Sequence, residues 1–265
     1  MTDIHAQRPP LDPARLQELP GLVVEVVEQA PSTNGLVEQR AREGAGEGLV
    51  VVAEHQTRGR GRLDRSWETP PRAALTFSVL LRPTAPPAGW PWIPLLAGVA
   101  VADAVRGYGL DTELKWPNDV LVDGRKVAGI LVELVETEQG MAAVVGIGIN
   151  VSTAPEELPV PTATSLLLAG ADVDRTELLR TVLAGLRQEY DVWQAPGGAD
   201  AVRARYTALC RTAHRESVEV ALPSGEVVTG DGCGIAESGA LLVATSDGVL
   251  TVSAGDVLHV RHADQ

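Results

Sequence analysis

Segment 115–126, KWPNDVLVDGRK, contains both lysines of the chain, and the other 20 of its 22 basic residues are arginine. A lysine ammonium is a compact point charge, whereas a guanidinium is a wide planar fork. In a narrow pocket, the ammonium fits against one carboxylate or phosphate oxygen where the fork is too broad. Lysines at 115 and 126, in a chain that otherwise writes positive charge as arginine, therefore point to a shape requirement. Asn118 and Asp119 lie between them, after a Trp-Pro pair that disfavours helix. Their amide and carboxylate suit a base edge, a ribose or a metal ion, and equally an Asx turn.

Two further stretches carry candidate chemistry. RGRGRLDR, 58–65, places four arginines among two glycines. Glycine lets backbone N–H groups approach a ligand, and arginine forks match phosphate or carboxylate oxygens, so the stretch reads as an anion-binding loop. It lacks the GxxxxGK[ST] pattern of a P-loop. Repulsion among its arginines predicts a loop that is mobile without its ligand. GIGIN, 146–150, alternates glycine along a strand and ends on Asn150. The bare face could take a flat ligand, or it could pack closely beneath a helix, which is the plainer reading of the spacing. Gly129 raises the same alternatives on a neighbouring strand. Gln56 before the arginine loop is a candidate ligand-reading amide. Ser32, Thr33 and Asn34 read first as a helix cap with polar groups to spare, and Trp67 as a pocket cover or loop anchor. The five histidines have no zinc spacing, and no GxSxG nucleophile motif is present.

These groups need elements to hold them. Strands are predicted at 23–27, 49–54, 74–81, from 113 to 116 onward, and at 141–151. Helices are predicted from 32–34 to Gly44, at 92–109, 174–194 and 199–210. Asp123-Gly124 marks a hairpin. From about residue 212 the chain becomes a series of short strands separated by turns, the pattern of a small all-β barrel. With 265 residues, one substantial unit and one small one are expected. Net charge is −13, which repels polyanions, so an anionic substrate requires a local cation cluster. Cys210 and Cys233 are too few for a disulfide framework and read as core or partly buried residues. The acidic, proline-containing start is unlike a secretion signal, and no apolar run is long enough to span a bilayer, so a cytoplasmic protein is expected.

In order along the chain, STN at 32–34, AEHQTRGRGR at 53–62, Trp67, KWPNDVLVDGRKVAGILVE at 115–133 and GIGIN at 146–150 resemble the biotin–protein ligases. The resemblance covers about residues 20–262. Arg58 stands where relatives often carry a small residue. The resemblance implies an α+β fold: a catalytic domain with mixed sheet and flanking helices, related to class II aminoacyl-tRNA synthetases, plus a C-terminal SH3-like β-barrel. The expected boundaries are an extension at 1–20, the catalytic domain at 21–212 and the barrel at 213–265. It also implies ATP, biotin and Mg2+, with biotinyl-5′-AMP formed first and biotin then passed to a lysine of a biotin carboxyl carrier protein domain of a carboxylase. Lys126 and Arg62 are the implied catalytic residues. Ser32, Thr33, Asn34 and Gln56 would read biotin, with Gly59, Arg60, Gly61, Arg62, Trp67, Lys126 and Gly129 completing its site. Arg60, Arg62, Lys115, Asn118, Asp119, Lys126 and Asn150 would serve the nucleotide. Asp119 is the candidate Mg2+ contact, without a protein cage for the metal. Some members carry an N-terminal DNA-binding module; the acidic charge and the short stretch before residue 20 lead us to expect the enzyme-only type, with no DNA partner. A homodimer through a sheet edge is left open. The alternatives are a lipoate or octanoyl ligase or transferase of the same fold, a non-catalytic biotin sensor, and an RNA-binding protein using RGRGR.

Overall fold

Residues 49–53 and 74–81 are nearly continuous runs of β-branched and apolar side chains, the pattern of strands covered on both faces. In a computed structural model of the chain, which describes residues 8–63, 65–214 and 217–260, both lie inside a sheet. The strands are β1 (Val23–Ala30), β2 (Leu49–Gln56), β3 (Gly59–Arg60), β4 (Ser66–Trp67), β5 (Ala74–Leu81), β6 (Thr112–Lys115), β7 (Asp119–Val122), β8 (Arg125–Thr137) and β9 (Gly140–Asn150). Among the described residues a seven-stranded sheet runs in the order β1-β2-β5-β9-β8-β7-β6, and β3 pairs only with β4. The β1–β2 pair is parallel and the other pairs antiparallel, so the sheet is mixed as expected.

One face of this sheet is covered by α2 (Thr33–Arg42), with Val37 and Ala41 against Val51, Leu80 and Val144. The other face carries α3 (Trp92–Arg106), α4 (Arg175–Gln194) and α5 (Gly198–Leu209) in one apolar core. Gly185 of α4 lies against Ala100 of α3, where a Cβ would sit 3.5 Å from the alanine methyl, so two small residues let the helices approach. The Asp123-Gly124 hairpin forms as expected, with φ of 50° and 71°, the paired left-handed values of a type I′ turn.

The C-terminal strands are β10 (Val218–Ala221), β11 (Val227–Ile235), β12 (Leu241–Thr245), β13 (Gly248–Val252) and β14 (Asp256–Val260), in an antiparallel sheet of order β13-β12-β11-β10-β14. Residues 248–260 form two strands, because the chain turns at Ser253–Gly255 and crosses to the opposite edge. Gly255 permits that turn: a Cβ there would lie 2.9 Å from the Ala221 carbonyl oxygen. Val218, Val220, Leu241 and Val243 belong to the same core as α3. Two indoles fasten the sheet, Trp92 Nε1 donating to Glu237 O at 2.8 Å and Trp116 Nε1 to Gly239 O at 3.0 Å. Cys210 is buried, whereas Cys233 is exposed on the outer face of β11, a departure from the expected partial burial.

The short helix α1 (Pro13–Leu16), capped by Asp12, was not legible in the sequence. It belongs to an N-terminal arm seated on a buried ion pair. Arg175 Nη2 lies 2.6 Å from Glu54 Oε2 and donates to Pro9 O at 2.7 Å, while Glu54 Oε1 accepts from Leu11 N at 2.6 Å. The two side chains are 6% and 2% exposed, so removing one partner leaves an uncompensated buried charge. Glu54→Ala is expected to lower the unfolding free energy by about 3–5 kcal/mol, read from urea denaturation, whereas replacing an exposed pair such as Arg42–Glu38 is expected to cost less than about 1 kcal/mol.

Candidate functional site

A cleft of about 1190 Å³ opens over the β8–β9 part of the sheet, at the N-terminus of α2 and beneath the β3–β4 hairpin. That exceeds the few hundred to 1,000 Å³ usual for one small ligand. Of the residues that the resemblance assigns to the site, all but Gly59 line it, and Arg58 of the arginine loop does not. Gly59 instead lies under the hairpin, where a Cβ would meet Trp67 O at 2.1 Å and Gln56 Nε2 at 2.2 Å.

Glycines make the floor. A Cβ at Gly146 would lie 2.2 Å from Asn34 Oδ1, one at Gly148 2.4 Å from the Trp67 indole, and one at Gly129 3.0 Å from Lys126 Nζ. The bare face read from GIGIN is therefore filled by the protein's own Asn34 and Trp67, and a ligand meets those side chains rather than naked strand. The plainer alternative holds at Gly146, which packs beneath α2, the helix that carries Asn34.

One end of the cleft is an uncharged hydrogen-bonding cluster. Gln56 Oε1 accepts from Thr33 N at 2.9 Å and lies 3.2 Å from Thr33 Oγ1, which turns the amide so that its NH2 remains to donate. Ser78 Oγ lies 2.7 Å from Thr33 Oγ1 and 2.6 Å from Asn34 Oδ1. Ser32 caps α2, its Oγ accepting from Gly35 N at 3.4 Å. Sequence reading missed Ser78. Its signal was Thr76 and Ser78 at alternate positions of β5, two hydroxyls on one face of an otherwise apolar strand.

The other end is cationic. Lys126 Nζ lies 2.5 Å from Asp119 Oδ1 and 5.7 Å from the centre of the Trp67 ring. Lys115 is the cross-strand partner of Asp119, so both lysines lie within the field of one carboxylate. Burial pushes the Lys115 ammonium below its ordinary pKa, against the opposing pull of Asp119 and Asp256. A bulge aims Lys126. Leu121 pairs with Lys126 and Val120 with Ala128, leaving Val127 as an extra residue on β8. The strand changes face there, which puts Lys126 and Gly129 on the same floor. The backbone of Lys126 is fixed on its other side by Thr162 O at 2.8 Å and Thr164 N at 2.8 Å.

The arginines of the hairpin find separate partners. Arg60 Nη2 lies 3.0 Å from Glu133 Oε2, Arg62 Nη2 donates to Gly255 O at 3.0 Å, and Arg65 pairs with Asp256. The C-terminal sheet thus braces the loop, through two residues that the sequence did not single out. Desolvation lowers the Arg62 pKa, although a guanidinium stays charged. Arg62 Nη1 and Trp67 Nε1 are buried donors without a partner among the described residues. Two unmatched donors at a cationic end suit an anion with several oxygens.

Asn118 and Asn150 do structural work with half of each amide. Asn118 Nδ2 donates to Ile130 O at 2.8 Å and Asn150 Nδ2 to Thr164 O at 3.0 Å, which leaves an Oδ1 acceptor on each. Among the described residues, no group of three or more His, Cys, Asp or Glu side chains could hold a metal ion.

Residues 26–150 match the Biotin/lipoate A/B protein ligase family, and residues 216–260 match the Biotin protein ligase C terminal domain. The first covers biotin and lipoate enzymes alike; the second favours the biotin branch. The chain is 40% identical to the biotin–[acetyl-CoA-carboxylase] ligase of Mycobacterium tuberculosis, over 98% of this chain and 100% of that one. It is 32% identical to the bifunctional ligase/repressor BirA of Bacillus subtilis, over 85% of this chain and 70% of that one. The biotin protein ligase of Aquifex aeolicus, solved in complex with biotin and ATP, superposes with a TM-score of 0.76 at 29% identity, over 88% of this chain and 97% of that one. With a whole-length relative at that identity and the same two-part architecture, the chain belongs to the biotin protein ligase family.

Proposed function

We propose that the chain activates biotin with Mg·ATP and transfers it to a lysine of a biotin carboxyl carrier domain. In the first step a carboxylate oxygen of biotin attacks the α-phosphorus of ATP. The bond to the β-phosphate oxygen breaks, pyrophosphate leaves, and biotinyl-5′-AMP remains. In the second step the acceptor's neutral amine attacks the acyl carbon, AMP leaves, and an amide forms. No nucleophile from the enzyme is required.

The observation that carries this reading is the polarity of the cleft: an uncharged hydrogen-bonding cluster at one end and Lys126, Lys115 and Arg62 at the other. Bringing a carboxylate to a phosphate joins two anions. Their repulsion at 4 Å is about 4 kcal/mol at an effective dielectric near 20. A fixed ammonium beside both oxygens offsets it and stabilises the charge that grows in the transition state. Lys126 is assigned that position, held by Asp119 until the ligand oxygens arrive. Ser32, Thr33, Asn34 and Gln56 read the ureido ring. Trp67 over Gly148 and Gly129 lines the space between the two ends. Arg60 and Arg62 close over the adenylate and keep water from the mixed anhydride. Lys115, Asn118 and Asn150 serve the nucleotide, and Mg2+ arrives on the triphosphate, with Asp119 within its reach. We assign catalysis to residues 21–212 and the bracing of the loop to the SH3-like unit at 213–265, with residues 1–20 as an extension, and place the reaction in the cytoplasm.

Incubation with biotin, Mg·ATP and a carrier domain, read by intact mass, tests the whole reading; unmodified carrier at full incubation overturns it. Lys126→Ala is expected to lose biotin-dependent pyrophosphate exchange by two orders of magnitude or more while remaining folded, about 3 kcal/mol of transition-state stabilisation. Arg62→Ala is expected to release free biotinyl-AMP, seen by chromatography as adenylate outside the protein fraction. Because burial lowers the Lys115 pKa, its charge is lost at a lower pH than an ordinary lysine's as pH rises. Exchange activity should therefore fall on the alkaline side, and Lys115→Ala, which has no such charge to lose, should lower the plateau and flatten that fall.

A further inference from the structure

Glu133, on β8, does not line the cleft, yet one of its oxygens governs two groups that do. Glu133 Oε2 accepts from Asn34 Nδ2 at 2.7 Å and from Arg60 Nη2 at 3.0 Å. A carboxylate at neutral pH only accepts hydrogen bonds. The Asn34 amide must therefore turn its NH2 towards Glu133. Its Oδ1 then accepts from Ser78 Oγ at 2.6 Å, in the space that Gly146 leaves open, and keeps its second lone pair. An amide fixed that way offers the cleft an acceptor and selects a ligand that brings an N–H. The same oxygen holds Arg60 across the cleft mouth and so ties the β3–β4 hairpin to β8.

We propose that Glu133 is a positioning residue with two tasks, fixing the amide that reads the ligand's N–H group and holding the arginine hairpin over the cleft. The inference rests on the biotin-ligase reading for the identity of the ligand. The two bonds differ in strength in the direction this role requires. The Arg60–Glu133 pair is partly exposed, at 49% and 34%, and a pair of that kind shifts an equilibrium by a factor of about two to five. The hairpin is thereby held yet can open for each turnover. Asn34 is buried and bonded to a charged acceptor, which is the firmer contact, so the reading amide keeps its orientation whether or not the hairpin is closed.

Trypsin cleaves after arginine, and the hairpin carries Arg58, Arg60, Arg62 and Arg65. The test compares the full chain with its Glu133→Ala and Glu133→Gln variants, by limited tryptic digestion with mass readout and by calorimetric titration with biotin. Cleavage within 58–65 is expected to be about two- to fivefold faster in both variants, because both lose the charge that holds Arg60. Biotin affinity is expected to fall about tenfold in Glu133→Ala and less than about threefold in Glu133→Gln, whose carbonyl oxygen still accepts from Asn34. Wild-type cleavage and affinity in Glu133→Ala overturn the proposal, as does acceleration at arginines throughout the chain. Equal loss of affinity in the two variants overturns the orienting role. If the unmodified chain binds no biotin, the functional reading falls, while the cleavage rates still decide whether Glu133 holds the hairpin.

Discussion

A single carboxylate, that of Asp119, lets two ammonium groups stand in one cleft before any substrate enters. Lys126 touches it at 2.5 Å and Lys115 pairs with it across β6 and β7. Without it, two partly buried cations would repel each other with no carboxylate between them to offset the loss of solvent. With it, the site is assembled in advance, and an arriving oxyanion need only replace one acceptor with another. Preorganisation of this kind costs nothing at the moment of reaction. The rest of the sheet serves that arrangement: the hairpin at Asp123-Gly124 sets β7 against β8, and the extra residue Val127 turns Lys126 onto the floor.

The site also depends on atoms that are missing by design of the sequence. Gly129, Gly146 and Gly148 supply the volume that Lys126, Asn34 and Trp67 occupy. The strands bearing these glycines are hydrogen-bonded to neighbours on both sides, which resists collapse of the space they leave. The cover over the cleft is built differently. The β3–β4 hairpin pairs only with itself among the described residues and is held by arginine contacts to Glu133, Gly255 and Asp256. A rigid reading surface and a loosely tethered cover suit an intermediate that must be sheltered and then handed on.

Much of this was legible from residue types. The strands at 74–81 and 140–150, the helix from Trp92 and the type I′ turn follow from branching, periodicity and the Asp-Gly pair. The lysine pair, the arginine loop and the STN triplet were found because their chemistry is conspicuous. What escaped were residues whose role comes from pairing register or from distance in sequence. Ser78 and Glu133 were given no role by residue type, and they join the site only because β5, β9 and β8 are neighbours and α2 crosses them. Gly255 and Asp256 belong to the C-terminal sheet, nearly 200 positions from the arginines they hold. The bulge at Val127 depends on what the adjacent strand does, and the short helix α1 is fixed by Glu54 and Arg175 rather than by its own four residues.

The indoles of Trp92 and Trp116 have a further consequence. Each begins in the larger unit and ends on a carbonyl of the turn at 237–239, while the aliphatic side chains around them form one uninterrupted interior. Shortening the polypeptide before β10 would strand both ring nitrogens in a nonpolar setting and uncover the flank of α3. The small sheet is accordingly a wall of the building rather than an annexe, and exchanging it for the equivalent piece of a distant homologue would require carrying both tryptophans, and the contour they fill, along with it.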